Sequence, residues 1–311
     1  MDLLLSVLRA VGEPTRLRLL ALCARSELSV TELTRILGQS QPRVSRHLKL
    51  LVEAALLERH REGSLVYYRL TTRGPTAELA HTLLGLLPDE DGELNLDRRR
   101  LEQVRAARVA AAEAYFRESA AEWDRIRALH VPEFEVERRL REIVGDEPVD
   151  TFLDVGTGTG RILQLFADQV RHGVGLDNSI EMLGLARARL EGEGYQHLYL
   201  RKGDMYGMPL EDASVDLATL HLVLHYSLEP ERVVAETART LRPGGRLIVV
   251  DFAAHEEERL RTEHAHQRLG FDAEELDRII GDAGLEPGPV ASLVGDPLTV
   301  NIWQGTRRAT P

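Results

Sequence analysis

The chain has 311 residues, a length that favours two domains over one compact core. Its 43% hydrophobic and 29% charged residues are typical of a folded globular protein and exclude a disordered chain. The net charge of -11 argues against nucleic-acid binding by the chain as a whole, but that charge is an average over two domains.

The charge is divided unevenly along the chain. Residues 1–75 hold 12 Lys or Arg against 7 Asp or Glu, whereas the remaining residues carry a net charge of -16. A basic head on an acidic body is typical of a nucleic-acid-binding domain joined to a second domain. An ordinary solvated surface can carry the same local charge, so the charge alone does not distinguish it from a nucleic-acid-binding surface. The motifs distinguish the two.

The basic head begins with a set of short predicted helices. A helix over 3–10 precedes an amphipathic helix over 14–24, which starts with a proline in its first turn. A third helix over 30–37 ends at Gly38, a residue type suited to a left-handed cap. A fourth helix follows over 41–54. Two short helices joined by a glycine-containing turn are typical of a helix-turn-helix.

The fourth helix is the predicted recognition helix, because one of its faces is apolar and the other is polar and basic. Gln and Arg on such a face can form paired hydrogen bonds with adenine and guanine in the major groove. Residues 58–70 alternate across a Gly-Ser turn and predict a β-hairpin, or wing. The residues expected to contact DNA are Ser40, Gln41, Arg43, Ser45, Arg46, His47, Lys49 and, near the tip of the wing, Arg61.

Residues 1–80 resemble the winged-helix repressors of the ArsR family. The resemblance is carried by EPTRLRLL at 13–20, by the turn at Gly38 and by SQPRVSRHLKLL at 40–51. It implies a homodimer bound to double-stranded operator DNA, with the helix over 3–10 as a dimer element. Metal-sensing members carry cysteines before the turn, where this chain has Ser29 and Thr31. Because hydroxyls do not replace soft thiolates, we expect no metal there.

An acidic stretch with Pro and Gly over 86–97 lacks apolar periodicity and predicts a linker between domains 1–85 and 98–311. A charged helix is predicted over 96–129, with aromatic side chains at Tyr115, Phe116 and Trp123. These aromatics either pack the connecting helix onto the second domain or form a lid over a ligand. The sequence leaves both alternatives open.

The acidic body opens with an apolar strand that runs into Gly156, Gly158 and Gly160, and a helix is predicted over 162–169. Glycines at such a turn let the backbone approach a ligand closely. A second strand ends at Asp177, whose carboxylate can accept hydrogen bonds from ribose hydroxyls. A third strand ends near Asp204, and further strands are predicted over 215–220, 246–251 and 300–303.

Residues 100–305 resemble the class I methyltransferases that bind S-adenosylmethionine, and most closely the small-molecule branch with the ubiquinone and menaquinone methyltransferases. The predicted fold class is therefore α/β: an N-terminal winged helix-turn-helix domain followed by a doubly wound Rossmann-like domain, with its ligand at the carboxyl ends of the strands. The resemblance implies a site for S-adenosylmethionine or S-adenosylhomocysteine at Asp154, Gly156, Thr157, Gly158, Gly160, Asp177, Asn178, Met182, Gly203, Asp204, Met205 and His221.

No catalytic residue is predicted, because methyl transfer in this fold relies mainly on proximity and alignment. An Asn-Pro-Pro-Tyr motif, typical of DNA amine methyltransferases, is absent after the fourth strand, which disfavours DNA methylation. Four later histidines could supply a base or a metal site, but they match no zinc spacing and are expected at the surface or in supporting positions. They are His225, His255, His264 and His266.

Two functions are compatible with these motifs. In the first, which we favour, the chain is a dimeric transcriptional regulator that senses S-adenosylmethionine or S-adenosylhomocysteine. In the second, it is an active small-molecule methyltransferase that controls its own operon. The apolar runs are too short to span a bilayer, no signal peptide is recognisable and the single cysteine, Cys23, forms no intrachain disulfide. We therefore expect a cytoplasmic protein without membrane contact.

Overall fold

The computed structural model describes residues 1–62, 65–71, 74–88, 90–127, 131–192 and 194–309, without the side chains at 2, 112–127 and 192. The chain forms two compact units. The first comprises Met1–Ala110 together with Glu191–Gln196, and the second comprises Ala111–Leu190 and His197–Pro311. None of the helices in the described ranges is both long and apolar enough to cross a bilayer.

The first unit is a small helical domain with a three-stranded antiparallel sheet in the order β1-β3-β2. Its elements are α1 (Asp2–Val11), α2 (Pro14–Cys23), β1 (Leu28–Ser29), α3 (Val30–Leu37), α4 (Gln41–Glu53), β2 (Leu57–Glu62), β3 (Leu65–Leu70), α5 (Pro75–Gly85) and the first part of α6 (Gly92–Arg127). The predicted helices at 14–24, 30–37 and 41–54 correspond to α2, α3 and α4 within one residue at each end.

Local hydrogen bonds define both ends of α3. The Ser29 hydroxyl accepts a hydrogen bond from the Glu32 amide at 3.3 Å, and the Glu32 carboxylate accepts one from the Ser29 amide at 2.8 Å. The helix ends at Gly38, which has a φ of +63°, a conformation that glycine adopts without strain. This turn sets the direction in which α4 leaves, and it brings Ile36 and Leu48 into one buried core.

The segment predicted as a linker over 86–97 is partly helical. Helix α6 begins at Gly92, where the Asp91 carboxylate accepts a hydrogen bond from the Leu94 amide at 2.9 Å. Asp97 is 2% exposed and accepts two hydrogen bonds from the Arg18 guanidinium, at 2.6 and 2.8 Å. In the sequence, nothing near Asp97 indicates that its carboxylate is buried, because its partner, Arg18, lies 79 positions away. The stretch therefore has the composition of a linker, although part of it is packed. The side chains of Tyr115, Phe116 and Trp123 lie outside the described residues, so the lid remains a prediction.

The second unit is built on a mostly parallel sheet that helices cover. Its elements are α7 (Glu133–Val144), β4 (Val149–Val155), α8 (Arg161–Leu165), β5 (Val170–Asp177), α9 (Ile180–Gly192), β6 (Leu198–Lys202), β7 (Val215–His221), a 3-10 turn (Leu224–Tyr226), α10 (Pro230–Thr240), β8 (Leu241–Phe252), α11 (Arg259–Glu263), α12 (Ala273–Asp282), β9 (Leu285–Pro287), β10 (Ala291–Leu293) and β11 (Val300–Arg307).

The strand order β10-β11-β8-β7-β4-β5-β6 confirms the predicted doubly wound fold. Strand β4 is parallel to both β5 and β7, and β11 pairs antiparallel with β8, as expected for the last strand. The order reverses on either side of β4, so a crevice opens there at the carboxyl ends of the strands. The helix predicted over 162–169 is shorter in the structure: α8 ends at Leu165, and the next residue, Phe166, is buried and packs edge-on against Phe152.

Candidate functional site

Helix α4 separates an apolar face from a polar one. Val44, Leu48 and Leu51 are fully buried in the core of the first unit. The predicted DNA-contacting side chains divide by exposure: Ser40, Gln41, Arg43, Arg46 and Lys49 are exposed, whereas Ser45 and His47 are half-buried. The exposed face of α4 therefore has the composition that major-groove binding requires.

The two exposed arginines of α4 have no ion pair within the described ranges, which leaves their guanidinium groups available for base edges or phosphates. Lys49 lies 3.7 Å from the carboxylate of Glu53, and His47 lies 3.6 Å from that of Glu13. The hydroxyl of Ser40 makes no capping hydrogen bond to α4. The polar face of α4 therefore makes few hydrogen bonds or ion pairs with the rest of the described protein.

The wing is an antiparallel pair of strands, with Glu62 opposite Leu65 next to the turn. Arg61 is exposed near the end of β2, as expected. The Gly-Ser turn itself, at 63–64, lies outside the described residues. The contacts of the α4 and wing residues with DNA stay a prediction.

In the second unit, the loop after β4 is shaped by three glycines. Gly156, Gly158 and Gly160 have φ values of +68°, +52° and +74°, which other residues adopt only with strain. The amides of Gly156 and Thr157 donate hydrogen bonds to the carbonyl of Leu176, at 2.7 and 2.9 Å. These bonds hold the glycine loop against the end of β5.

Asp177, the last residue of β5, joins this loop to the start of α9. One carboxylate oxygen accepts a hydrogen bond from the Gly158 amide and the other accepts one from the Ser179 amide, both at 2.8 Å. Each oxygen of a carboxylate has a second lone pair, so Asp177 can still accept hydrogen bonds from two ribose hydroxyls. A Cβ at Gly158 would have nothing within 4 Å, so the space above the loop is open. The loop and Asp177 therefore fit an adenosyl ligand.

The other predicted cofactor residues lie at the same edge of the sheet: one is the last residue of β7, and the others follow β5 or β6. Asn178 and Asp204 are exposed, and Met182 packs on a small apolar cluster with Leu185 and Ala188. The half-buried residues of the set are Gly203, Met205 and His221. The topology brings the predicted set together at the crevice, and their contacts with a cofactor stay a prediction.

Asp154 differs from the others because it is buried beneath the glycine loop. It is 1% exposed, and it accepts hydrogen bonds from the hydroxyls of Thr157 at 2.6 Å and Thr219 at 2.7 Å. Burial raises the pKa of Asp154 to about 6, although the two hydroxyls favour the charged form. The carboxyl group supports the loop from below, and Thr157 is its partner there.

We expect the stability of the natural protein to depend on pH through Asp154, and we expect the Asp154→Asn variant to lose this dependence. An unfolded Asp titrates near pH 3.9, so between about pH 4 and 6 the folded state binds more protons than the unfolded state. Stability contributed by Asp154 is therefore lost as the pH rises through this window, by up to about 3 kcal/mol. Thermal unfolding of both proteins from about pH 4 to 7 measures the difference, and parallel curves would contradict the prediction.

We also expect a matched pair of glycine variants to differ in stability. A Cβ at Gly156 would lie 2.3 Å from Cγ2 of Val223, whereas a Cβ at Gly158 meets open space. Gly158→Ala should cost about 1–2 kcal/mol for its positive φ. Gly156→Ala should cost about 1–3 kcal/mol more, because Val223 has to move. Urea denaturation measures the free energy of unfolding of both variants. Equal losses of stability would contradict the prediction, because they would mean that Val223 moves away from the new Cβ at no cost.

The histidines were expected at the surface or in supporting positions, and for two of them the surface alternative is wrong. His225 and His266 are 2% and 4% exposed, and the Nδ1 atom of His225 lies 2.7 Å from a carboxylate oxygen of Asp251. The sequence held one indication of this pair: His225 follows β7 and Asp251 lies near the end of β8, and these two strands are parallel neighbours. Among the residues with described positions, no three His, Cys, Asp or Glu side chains are placed to share a metal ion.

Comparison with known families identifies both units. The family model described as "Methyltransferase domain" matches residues 153–249, and the model described as "Bacterial regulatory protein, arsR family" matches residues 13–59. The two matches coincide with the glycine-loop sheet and with the helix-turn-helix, respectively.

Three relatives show the extent of the similarity. An arsenite methyltransferase of Halobacterium salinarum is 34% identical over 107 residues, which are 33% of this chain and 27% of that protein. A phosphatidylethanolamine N-methyltransferase of Cereibacter sphaeroides is 34% identical over 141 residues, 43% of this chain and 69% of that protein. The crystal structure of YcgJ from Bacillus subtilis covers 57% of this chain and 100% of its own, with a TM-score of 0.51 and 19% identity, which shows the fold alone.

The chain spans about half or less of the length of the first curated relatives that it matches. Their similarity is therefore confined to part of each protein. The activities, substrates and partners of these relatives belong to those proteins.

Proposed function

Because this chain belongs to the class I methyltransferases and carries an ArsR-family helix-turn-helix domain, we propose that it is a DNA-binding transcriptional regulator with a cofactor as effector. In this proposal, the methyltransferase unit binds S-adenosylmethionine or S-adenosylhomocysteine, and ligand occupancy changes the affinity for operator DNA. The observation that carries it is the presence, on one chain, of an exposed polar and basic face on α4 and a loop that fits an adenosyl ligand. We place the protein in the cytoplasm, where both ligands occur.

The DNA-binding part of the proposal is supported by α4. Gln41, Arg43 and Arg46 stand exposed on one side of a helix whose other side anchors it in the core. Base contacts specify a sequence, whereas phosphate contacts position the protein. An exposed face that combines Gln, Arg and Lys can make both kinds of contact.

The dimer is supported by α1. Its side chains Leu3, Leu4, Leu5 and Leu8 are 40–45% exposed, although the helix also packs Val7 into the core. A helix with apolar residues on both sides is stable in water when a second surface covers the outer side. A second copy of the chain, paired through α1, would cover it and present two recognition helices to a palindromic operator.

The effector acts only if it binds the DNA-competent and the DNA-incompetent states with different free energies. The same coupling must then appear in both directions, so DNA changes ligand affinity by the factor by which ligand changes DNA affinity. This reciprocity separates a sensor from a protein whose two ligands bind independently.

Fluorescence anisotropy with a labelled promoter fragment of the protein's own gene tests the proposal. We expect saturating S-adenosylhomocysteine or S-adenosylmethionine to change operator affinity by about 5- to 150-fold. Isothermal titration of the same ligand, with and without the promoter fragment, should give the same factor. Operator affinity that neither ligand changes would overturn the regulatory role.

A second function is an active methyltransferase on a small molecule, and it does not exclude the first. It is supported by the similarity to named methyltransferases and by the buried pair His225–Asp251 beside the crevice. Arsenite itself is a poor candidate acceptor, because thiolates are the ligands that a soft centre prefers. The sequence has one cysteine, Cys23, which is buried in the first unit and whose pKa burial raises.

A further inference from the structure

A histidine and an aspartate form a closed pair at the ends of β7 and β8. His225 lies in the turn after β7, and Asp251 is the penultimate residue of β8. The Asp251 carboxylate is 0% exposed and accepts hydrogen bonds from Nδ1 of His225 at 2.7 Å, from the His225 amide at 3.1 Å and from the Phe252 amide at 2.8 Å. Three donors therefore hold the carboxylate, and the carboxylate holds the imidazole.

This pair determines which nitrogen of His225 is basic. A carboxylate only accepts hydrogen bonds, so Nδ1 of the neutral ring carries the proton and Nε2 carries the lone pair. Nε2 is buried and has no hydrogen-bond partner among the described atoms. An orphaned polar atom in a protein interior costs about 1–3 kcal/mol, and proteins retain such atoms where they have a role.

Aromatic rings pack around the His225 side chain. The ring of His266 stacks on His225 with centroids 3.9 Å apart, and the rings of Tyr226 and Phe252 lie at 4.3 and 5.4 Å. Burial, followed by the neighbouring His225, lowers the pKa of His266 to about 3, so this ring is neutral near pH 7. The Nε2 of His255, in the same cluster, is also buried without a partner. The contacts of the His225 ring are therefore mainly with aromatic rings, and Asp251 is the carboxylate that hydrogen-bonds to it.

The cluster adjoins the predicted cofactor loop. The turn that carries His225 begins with Leu222, which has a φ of +51°, and continues through Val223, whose side chain packs on Gly156. A positive φ at a non-glycine residue is a strained conformation that is often found at functional sites. In this fold, the carboxyl ends of β7 and β8 lie beside the ends of β4 and β5 in the same crevice.

We propose that Nε2 of His225 is the proton acceptor of a methyl-acceptor site, which takes an aromatic molecule with an ionisable hydroxyl group. The inference rests on the cofactor binding in the proposed function. The acceptor oxygen forms a bond to the methyl carbon as the carbon–sulfur bond of the sulfonium breaks and its electron pair passes to sulfur. The hydroxyl proton moves to Nε2 of His225. The products are the methyl ether, S-adenosylhomocysteine and a protonated imidazole that Asp251 stabilises.

Entry to this site requires one ring to replace another. The ring of His266 covers the ring of His225. His266 follows Ala265, another non-glycine residue with a positive φ, +57°. An aromatic acceptor that stacks on His225 in place of His266 keeps the stacking contact and brings its hydroxyl to Nε2. Tyr226 and Leu228, which are 44% and 74% exposed, supply apolar surface for the rest of the molecule.

The test uses 4-nitrophenol, whose ionised form absorbs visible light, with the full-length chain saturated with S-adenosylhomocysteine. At a pH about one unit below the pKa of the free phenol, proton transfer to His225 should produce bound phenolate, because an adjacent cation favours ionisation. With S-adenosylmethionine instead, the phenol should be methylated. His225→Asn keeps a donor to Asp251 but lacks the basic nitrogen. We expect it to abolish the phenolate signal and to slow methylation by about 100- to 10,000-fold.

His264→Asn, which removes an imidazole from the segment beside this cluster, is the matched control and should keep both signals. Absence of bound phenolate in the natural chain, or a phenolate signal that survives in His225→Asn, would overturn the proposal. Calorimetry on the same samples keeps the two failures apart. If S-adenosylhomocysteine binds and no phenolate forms, only the proton-acceptor site is wrong, whereas absence of ligand binding would remove the proposed function and this inference together.

Discussion

Replacing Asp177 by Ala is expected to weaken the binding of S-adenosylhomocysteine by at least about 100-fold, which corresponds to about 3 kcal/mol. The side chain has two tasks. It anchors the Gly158 and Ser179 amides, each at 2.8 Å, and it has a free lone pair on each oxygen for a ribose hydroxyl. Hydrogen bonds to a charged group contribute about 1.5–3 kcal/mol each, so the loss of both tasks exceeds the effect of a single contact. Isothermal titration calorimetry measures the change.

Two further variants show whether the charge or the shape of Asp177 matters. Asp177→Asn keeps one acceptor oxygen and replaces the other with an NH2 group that only donates. It should give an intermediate loss, because either the Gly158 or the Ser179 amide loses its acceptor, together with one ribose hydroxyl. Asp168→Ala removes an exposed carboxylate from the same unit and should leave affinity unchanged. If Asp177→Ala binds the ligand within threefold of the natural protein, the cofactor site has been assigned to the wrong loop.

The second large effect is expected at α4. Arg46→Ala should weaken binding to every DNA sequence and reduce the slope of log affinity against log salt by about 1, as for one lost phosphate contact. Arg43→Ala should cost about 1–3 kcal/mol and relax the preference for one base, as for a lost base contact. The double variant should lose more than about 100-fold. Anisotropy titrations with the promoter fragment and with an unrelated duplex, at several salt concentrations, separate the two roles.

The control for these arginines is Arg99→Ala, which removes the same charge from an exposed position on α6 in the first unit. Its operator affinity should stay close to that of the natural protein, because long-range charge effects are screened within about 10 Å. Unchanged affinity in both Arg43→Ala and Arg46→Ala would mean that another element reads the DNA. A loss as large in Arg99→Ala would mean that overall charge, and not the face of α4, binds the DNA.

The helices and the glycine loop were predictable because the interactions that define them are local. The capping box of Ser29 and Glu32 spans three residues, and the stop at Gly38 depends on the conformational freedom of one residue. The strands of the second unit were predictable because each is a short apolar run followed by a polar or glycine-rich turn. The doubly wound sheet was implied by the resemblance to class I methyltransferases, which the motifs in those elements carry in their order along the chain.

Other features needed the tertiary structure, because burial and electrostatic environment depend on residues far apart in the chain. The partner of Asp97, Arg18, lies 79 positions away, so a segment that looks like a linker contains a buried ion pair. The pKa of Asp154 depends on burial and on Thr219, 65 positions later. The pairing of His225 with Asp251 arises only when β7 and β8 lie side by side. The amino-acid sequence determined which elements form and in what order, whereas tertiary packing decided which polar groups lost water and which partners they met.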